Sequence, residues 1–515
     1  MALFRAIATV GSYTMASRVL GFVRDVLIAA YIGTGPVADA FFVAFKFPNF
    51  FRRLFAEGAF NAAFVPSFAG VVATRGREAA RAFAEDTLAV LICVLFVLLA
   101  LAEAAMPWLM TAIAPGFVGD PAKFALAVEF TRITFPYLLF ISLVSLQGGV
   151  LNSLDRFAAV AATPIVLNLV LIAALLGFTG LMPSAGHALA WGVALAGAAQ
   201  FLWLAEACRR AGMALGLPRP KLSPEVRRML TLMLPAAIGS GVVQINLVID
   251  VIIASLLPTG SVSYLYYADR IYELPLAVVG IAIGTALLPA LARQVRRGED
   301  AAALATQNRG LEAALLLTLP AAAALVVLAR PIIAVLFERG AFGGLAVDAT
   351  AAALQAYALG LPAYVLIKVL TPGFYAREDT ATPVKIAVVC VVANTALALV
   401  LMRPLAHVGI ALASAIAAWL NAALLALMLK RRGAFAPDAR LGERLPRMIA
   451  ATIAMAALLW GLLQPLAVWL ASGLALRASA LALLVAGGLA GFALAAQLLK
   501  ATDLRDLMRQ LGVKS

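Results

Sequence analysis

ASALALLVAGGLAGFALAAQL, residues 478–498, runs for 21 residues without one charged side chain. An α-helix rises about 1.5 Å per residue, so a stretch of this length crosses the roughly 30 Å hydrocarbon layer of a bilayer. Outward from it, similar windows recur along the whole chain, Leu88–Leu101 and Ile165–Leu176 among them, and about fourteen can be counted at roughly 20 residues per crossing. The composition agrees: 64% of the 515 residues are hydrophobic, 13% are charged, and the mean hydropathy is +0.99. Water-soluble packing is excluded on these values. The predicted fold class is an all-α polytopic membrane protein of about fourteen transmembrane helices.

The formal net charge of +14 raises the question of nucleic acid, but the distribution of the charge answers it. Arg75, Arg77 and Arg81 form one basic cluster, Arg209 to Arg228 with Lys221 a second, Arg293 to Arg297 a third, and Lys430 to Arg432 a fourth, while the loops between them hardly contain Lys or Arg. That alternation is the positive-inside pattern, which puts the basic loops and, for an even number of helices, both termini in the cytoplasm. No nucleic-acid partner is expected. Arg18, Arg24 and Asp25 interrupt the first apolar run, so it is predicted to be a retained helix rather than a cleaved signal. Cys93, Cys208 and Cys390 lie far apart, and His187 and His407 lack any metal-ligand spacing, so neither a disulfide framework nor a metal centre is implied by them.

Landmarks recur at a nearly constant offset: Pro48 with Pro275, Pro66 with Pro289, Pro107 with Pro331, Gly116 with Gly340, Pro136 with Pro362, Asp155 with Asp379 and Asn168 with Asn394. The ordered series predicts a duplicated unit of six helices. An even number of crossings gives both copies the same orientation, a parallel repeat of two pseudo-symmetric lobes that would rock about a substrate site between them. The expected division is residues 1–215 and 216–435 for the lobes, with 436–515 supplying two additional C-terminal helices.

The charges inside these helices point to function. An arginine at the bilayer centre costs about 2.5–3.5 kcal/mol on insertion scales, so it is expected to face water or a partner. The first helix, roughly 7–32, gathers Thr14, Ser17, Arg18, Gly21, Arg24 and Asp25 within about a third of its circumference. The second carries Asp39, Lys46, Asn49, Arg53 and Glu57 at spacings of 3, 4 and 7, with Arg52 to one side and Pro48 as a kink. In SVSYLYYADRIYELP, residues 261–275, Ser263, Tyr266, Arg270 and Glu273 share a face with Asp269 at its edge. Ion pairs that lock helices together are one explanation, because Asp25, Asp39, Glu57 and Glu273 supply carboxylates for them. Convergence on an anion is the other: guanidinium grips phosphate in bidentate fashion, so Arg18, Arg24, Arg52 and Arg270 suit a diphosphate. The cationic half is asymmetric, since the repeat maps Asp25 onto Asp250 but Arg18 and Arg24 onto Val243 and Ile249. Asp250, Asp379 and Thr395 would line a cation site if adjacent, or serve singly as helix-pairing groups.

SRVLGFVRD at 17–25, ADAFFVAFKFPNFFRRLFAEGAFNAAFVP at 38–66 and YYADRIYELP at 266–275 closely resemble the lipid II flippase family, MurJ or MviN. The resemblance covers most of the chain and is weakest over the last two helices. It implies the multidrug/oligosaccharidyl-lipid/polysaccharide exporter fold in the bacterial inner membrane. It also implies flipping of undecaprenyl-diphosphate-linked disaccharide-pentapeptide, lipid II, from the cytoplasmic to the periplasmic leaflet by alternating access, in support of peptidoglycan synthesis. Family central-cavity arginines are matched by Arg18, Arg24, Arg52 and Arg270, with Asp39 beside them; Asp25, Asn49, Glu57, Ser263 and Glu273 complete the expected substrate-binding set. Such families can carry a sodium ion, for which Asp250, Asp379 and Thr395 look like ligands, while Tyr375 stands where that site would place an amide.

No GxxxxGK[ST] stretch occurs, so the chain has no P-loop of its own, and energy is expected from a gradient, sodium or the membrane potential, or from substrate supply and removal, with no other cofactor expected. Expected partners are lipid II, membrane lipids and the cell-wall synthesis machinery. A polytopic enzyme would place catalytic carboxylates or His on a sizeable outer loop, and the outer loops here are short and mostly uncharged. A flippase for another polyprenyl-diphosphate-linked oligosaccharide and a transport-inactive scaffold are the remaining alternatives; a drug exporter would favour an acidic cavity.

Overall fold

The computed structural model of the chain describes residues 2–53 and 60–502, with the side chains of all of these except 2–8, 234–243, 245, 278 and 281–286. The described residues form α-helices and short turns, and no strand occurs among them. The bilayer dictates this: with no water to satisfy backbone N–H and C=O groups, each crossing segment must bond them internally. By contacts the chain divides into two compact units, one of Met1–Ser263 with Arg339–Phe342 and one of Tyr264–Glu338 with Gly343–Ser515.

The first unit contains α1 (Ala2–Ile32), α2 (Pro36–Phe51), α3 (Asn61–Ala104), the short α4 (Met106–Ile113), α5 (Pro121–Thr134), α6 (Tyr137–Ser153), α7 (Phe157–Phe178), α8 (Ala185–Arg210) and α9 (Pro224–Ser255). Helix α2 is its centre. Residues 38–45 are buried all round, Phe41 and Phe45 stack at 5.7 Å, and Phe47 stacks on Phe135 at 5.2 Å. Helix α1 packs along α7, α7 along α8, and α9 on α3. Small residues permit the close α7–α8 approach: a Cβ on Gly192 would lie 2.9 Å from the Ala174 side chain and 3.1 Å from Leu171.

The second unit contains most of α10 (Ser261–Arg296), α11 (Asp300–Val327), the short α12 (Ala329–Phe337), α13 (Gly344–Tyr375), α14 (Ala381–Arg431), α15 (Ala439–Leu470) and α16 (Leu474–Leu498). Leu311, Val365, Leu370, Phe374 and Leu429 build its largest core, and α15 pairs with α16 and leans on α11. Only 11% and 17% of the most apolar windows of α15 and α16 are buried, so most of their apolar surface is available to lipid.

Among the described residues nine helices or helix pairs are long and apolar enough to cross a membrane, and the chain is a multi-pass membrane protein. Two of the nine, α3 and α14, are each broken by one non-helical residue, Gly76 and Ala406. The duplicated landmarks have a backbone counterpart. Left-handed residues pair as Gly33 with Gly260, Gly76 with Gly298, Asp155 with Glu378 and Gly212 with Gly433, all 221 to 227 residues apart. Non-glycine residues rarely adopt that region, so the Asp155 and Glu378 match at φ 59° and 60° is specific. Pro107 and Pro331 likewise lie near the starts of the short helices α4 and α12. The copies diverge at Pro136, where α5 gives way to α6, whereas Pro362 sits inside unbroken α13. Helix α9, expected to open the second lobe at 216, packs with the first unit.

Candidate functional site

The expected substrate residues fall into two physical classes, sealed charges and open ones. Asp39 belongs to the first. It is fully buried in the first turn of α2, and its carboxylate accepts four hydrogen bonds: from Lys123 Nζ at 2.9 Å, Gly260 N at 2.7 Å, Ser263 N at 3.0 Å and Ser263 Oγ at 2.6 Å. Lys123, 3% exposed, also lies over the Phe117 ring at 4.1 Å and bonds Thr259 Oγ1 at 3.4 Å. The expectation that Asp39 and Ser263 contact the substrate is therefore corrected. Four donors occupy the lone-pair sites of one carboxylate, and the group joins α2, α5 and the start of α10 as a lock.

Arg24 and Asp25 are sealed too. Arg24 donates from Nε and Nη2 to Asp25 Oδ1 at 3.0 and 2.7 Å and from Nη1 to Asn168 Oδ1 at 2.9 Å, while Asn168 Nδ2 donates to the Ser17 carbonyl at 2.9 Å. At 7% and 4% exposure the pair ties α1 to α7. Gly21 leaves room for the amide, since a Cβ there would sit 3.5 Å from Asn168 Nδ2.

Arg18 is the contrast. It is half-buried on the same helix and makes no hydrogen bond or ion pair among the described residues. On α2, half-buried Arg52 donates from Nε to Asn49 Oδ1 at 3.0 Å, and Asn49 Nδ2 donates to the Phe45 carbonyl at 2.7 Å. Both residues line a chamber of about 310 Å³ inside the first unit. Glu57 lies outside the described residues.

In the second unit, Arg270 lies over Tyr266 at 4.9 Å and donates to Glu273 Oε2 at 3.2 Å, with side chains 32% and 44% exposed. Tyr272, two residues along, is buried between Tyr357 and Tyr364 at 5.6 Å from each. A half-buried pair of this kind leaves part of the guanidinium accessible to an anion.

The residues expected for sodium do not form one site. Asp379 precedes α14, where it accepts from Thr382 N at 2.9 Å and pairs with Arg432, which also bonds Thr382 Oγ1 at 2.9 Å. These contacts, the Thr382 amide first, hold its carboxyl well below the usual carboxylate range. Thr395 is 16 residues further along, about 24 Å at the helical rise, and donates to Val391 O at 2.9 Å. One ion cannot reach both. Asp250, on α9 of the first unit, accepts from Asn246 Nδ2 at 3.4 Å. No group of three His, Cys, Asp or Glu suited to a metal occurs among the described residues, and no step below is routed through sodium.

The model of the family "Lipid II flippase MurJ" matches residues 28–480. A relative from Rhizobium meliloti named a probable lipid II flippase MurJ is 49% identical, over 94% of this chain and 91% of its own length.

The chain belongs to the lipid II flippase MurJ family.

A family member from Burkholderia cenocepacia named lipid II flippase MurJ is 39% identical over 89% of this chain and 90% of its own. A solved MurJ structure described as inward closed is similar with a TM-score of 0.80 at 24% identity, covering 97% of this chain and 99% of that one. An inward-facing multidrug resistance MATE transporter shares the fold with a TM-score of 0.69 at 14% identity, over 83% and 98%. The apolar helices of this MurJ-family chain and these likenesses agree with the all-α, multi-pass architecture.

Sequence reasoning overlooked two residues of the MurJ-family chain, Lys123 and Asn168. Lys123 had a signal: it is the lone Lys or Arg between Arg81 and Arg132, and an isolated cation beside long apolar runs needs a counter-charge. Asn168 was visible only as a repeat landmark, because a contact 144 residues away from Arg24 leaves no local pattern.

Proposed function

We propose that the chain translocates lipid II from the cytoplasmic to the periplasmic leaflet of a bacterial inner membrane by opening alternately to each side, supplying peptidoglycan synthesis. The observation that carries the reading is the match to the lipid II flippase family over residues 28–480. The basic clusters support cytoplasmic termini: Arg75 pairs with Glu225 at 2.7 Å, and Arg209 and Arg210 both pair with Glu206 at the end of α8.

Arg18 is the principal headgroup contact in this reading. About 14 residues of α1 separate it from Ile32, roughly 21 Å of helix, which puts a half-buried cation within the hydrocarbon span. Such a charge is stabilised by water or by an anion, and a diphosphate satisfies its forked donors. Arg52 and Arg270 are the secondary contacts. Arg24 positions α1 through Asp25 and Asn168 rather than gripping the headgroup directly. Moving an anion outward from a negative interior is favourable by about 2.3 kcal/mol per charge per 100 mV, so the membrane potential is the driving force in this reading.

The test is complementation in cells depleted of their own lipid II flippase. Restored growth and outer-leaflet lipid II are expected from the wild-type chain; growth failure with normal membrane insertion would refute the reading, and rescue of another polyprenyl-diphosphate-linked oligosaccharide pathway would redirect it.

A further inference from the structure

The chamber of about 310 Å³ in the first unit has a lining unlike a lipid-facing crevice. Tyr137, Gly148, Gly149, Thr163 and Gln200 are buried in its wall, and the amides of Asn49, Asn61, Asn152 and Gln200 surround it, with Arg52 as the one charged group among the described residues of the lining. Gln200 is decisive. It is 2% exposed, and its Nε2 donates to the Thr163 carbonyl at 2.9 Å, which fixes the orientation of the amide because a carbonyl can only accept. Oε1 is thereby left as an acceptor with no hydrogen-bond partner. Asn61 Oδ1 accepts from Ser145 Oγ at 3.2 Å, so its Nδ2 is presented as a donor, and Asn152 makes no side-chain hydrogen bond among the described residues. A buried polar atom left without a partner costs about 1–3 kcal/mol, so a membrane protein is expected to retain such a group where something else satisfies it.

The ligand chemistry follows from that lining. A diphosphate calls for several cations, and the described residues of the lining supply one, already bonded from Nε to Asn49. Neutral amides offering both donors and acceptors, with an aromatic residue in the wall, match a group that itself both donates and accepts: the hydroxyl and acetamido groups of a sugar. The volume is at the lower end of the range for small-ligand pockets, enough for one sugar ring rather than a disaccharide. We infer that this chamber, bounded by α2, α3, α6, α7 and α8, is a subsite for a single sugar ring of the lipid-linked substrate, with Arg52 at the place where the sugar meets the phosphate. The inference rests on the lipid II reading and adds a recognition element to it.

The test is binding of two lipids to the full-length chain in detergent or nanodiscs: lipid II, and undecaprenyl diphosphate, which has the phosphates without the sugars. Asn152→Ala removes an amide whose side chain bonds nothing among the described residues, and Gln200→Leu removes the unpartnered acceptor. Each is expected to weaken lipid II binding about three- to tenfold, as one hydrogen bond is worth, and to leave undecaprenyl diphosphate binding unchanged. Asn152→Ala should keep the wild-type melting temperature, so the inference stands or falls on it even if Gln200→Leu fails to fold. Equal weakening for both lipids, or no change for either, would overturn the subsite while leaving the flippase reading intact. Failure of the wild-type chain to prefer lipid II over undecaprenyl diphosphate would instead sink the substrate reading itself.

Discussion

Asp39 and Arg18 sit one helix apart in the chain and are both intramembrane charges, yet the structure treats them in opposite ways. The Asp39 carboxylate has four donors and no exposure, whereas Arg18 is half-buried with no polar partner among the described residues. The difference separates two uses of charge in a membrane. A saturated charge fixes helices, and its removal unpairs a partner in low dielectric; an open charge contributes little to folding and is kept for something that arrives.

The comparison can be broken most forcefully at Lys123. Lys123→Ala leaves Asp39 buried without its cation and is expected to destabilise the chain by about 3–5 kcal/mol, read as a large drop in melting temperature of the purified protein. Asp39→Asn in the Lys123→Ala background should recover part of the loss, because the stranded charge is then gone. A mild effect of Lys123→Ala would mean that the lock is not structural. Asn168→Ala is the next test. It removes one charge-assisted bond to Arg24 and one bond to the Ser17 carbonyl, and about 1–3 kcal/mol of destabilisation is expected, with flipping reduced in proportion to folded protein.

The smallest effect is expected at the α13–α14 turn, where Asp379 is held by the Thr382 amide and by Arg432. Its carboxyl pKa is depressed by folding, so the stabilisation it gives is complete above the ordinary aspartate value of about 4 and is lost only as pH falls further, through the depressed value. Hydrogen exchange at the Thr382 amide, corrected for its intrinsic pH dependence, should therefore show unchanged protection between pH 6 and about 4. Loss of protection within that interval would contradict the assignment.

The sequence made the fold class legible because its cause is local and continuous: apolar windows such as 478–498, and landmark pairs such as Asp155 with Asp379, survive in one dimension. Even the left-handed turn repeated at Asp155 and Glu378 lies within one residue of that landmark pair. The site was only partly legible. Helical periodicity marks which charges share a face, but not whether a face is sealed, and that is decided by distant partners such as Lys123 for Asp39 and Asn168 for Arg24. Asp379 and Thr395 were grouped by chemical type, and the helical rise between them shows why type alone does not make a cation site. The chamber beside Arg52 was invisible for the same reason, since Asn61, Asn152 and Gln200 come from three separate segments.

The most direct measurement is lipid II flipping by purified Arg18→Ala protein in liposomes, beside wild-type protein of matched melting temperature. If open cations grip the phosphorylated head, Arg18→Ala melts within about 0.5 kcal/mol of wild type and flips at least tenfold more slowly, with Arg18→Lys intermediate because it keeps the charge but not the fork. Wild-type flipping by Arg18→Ala would contradict the account.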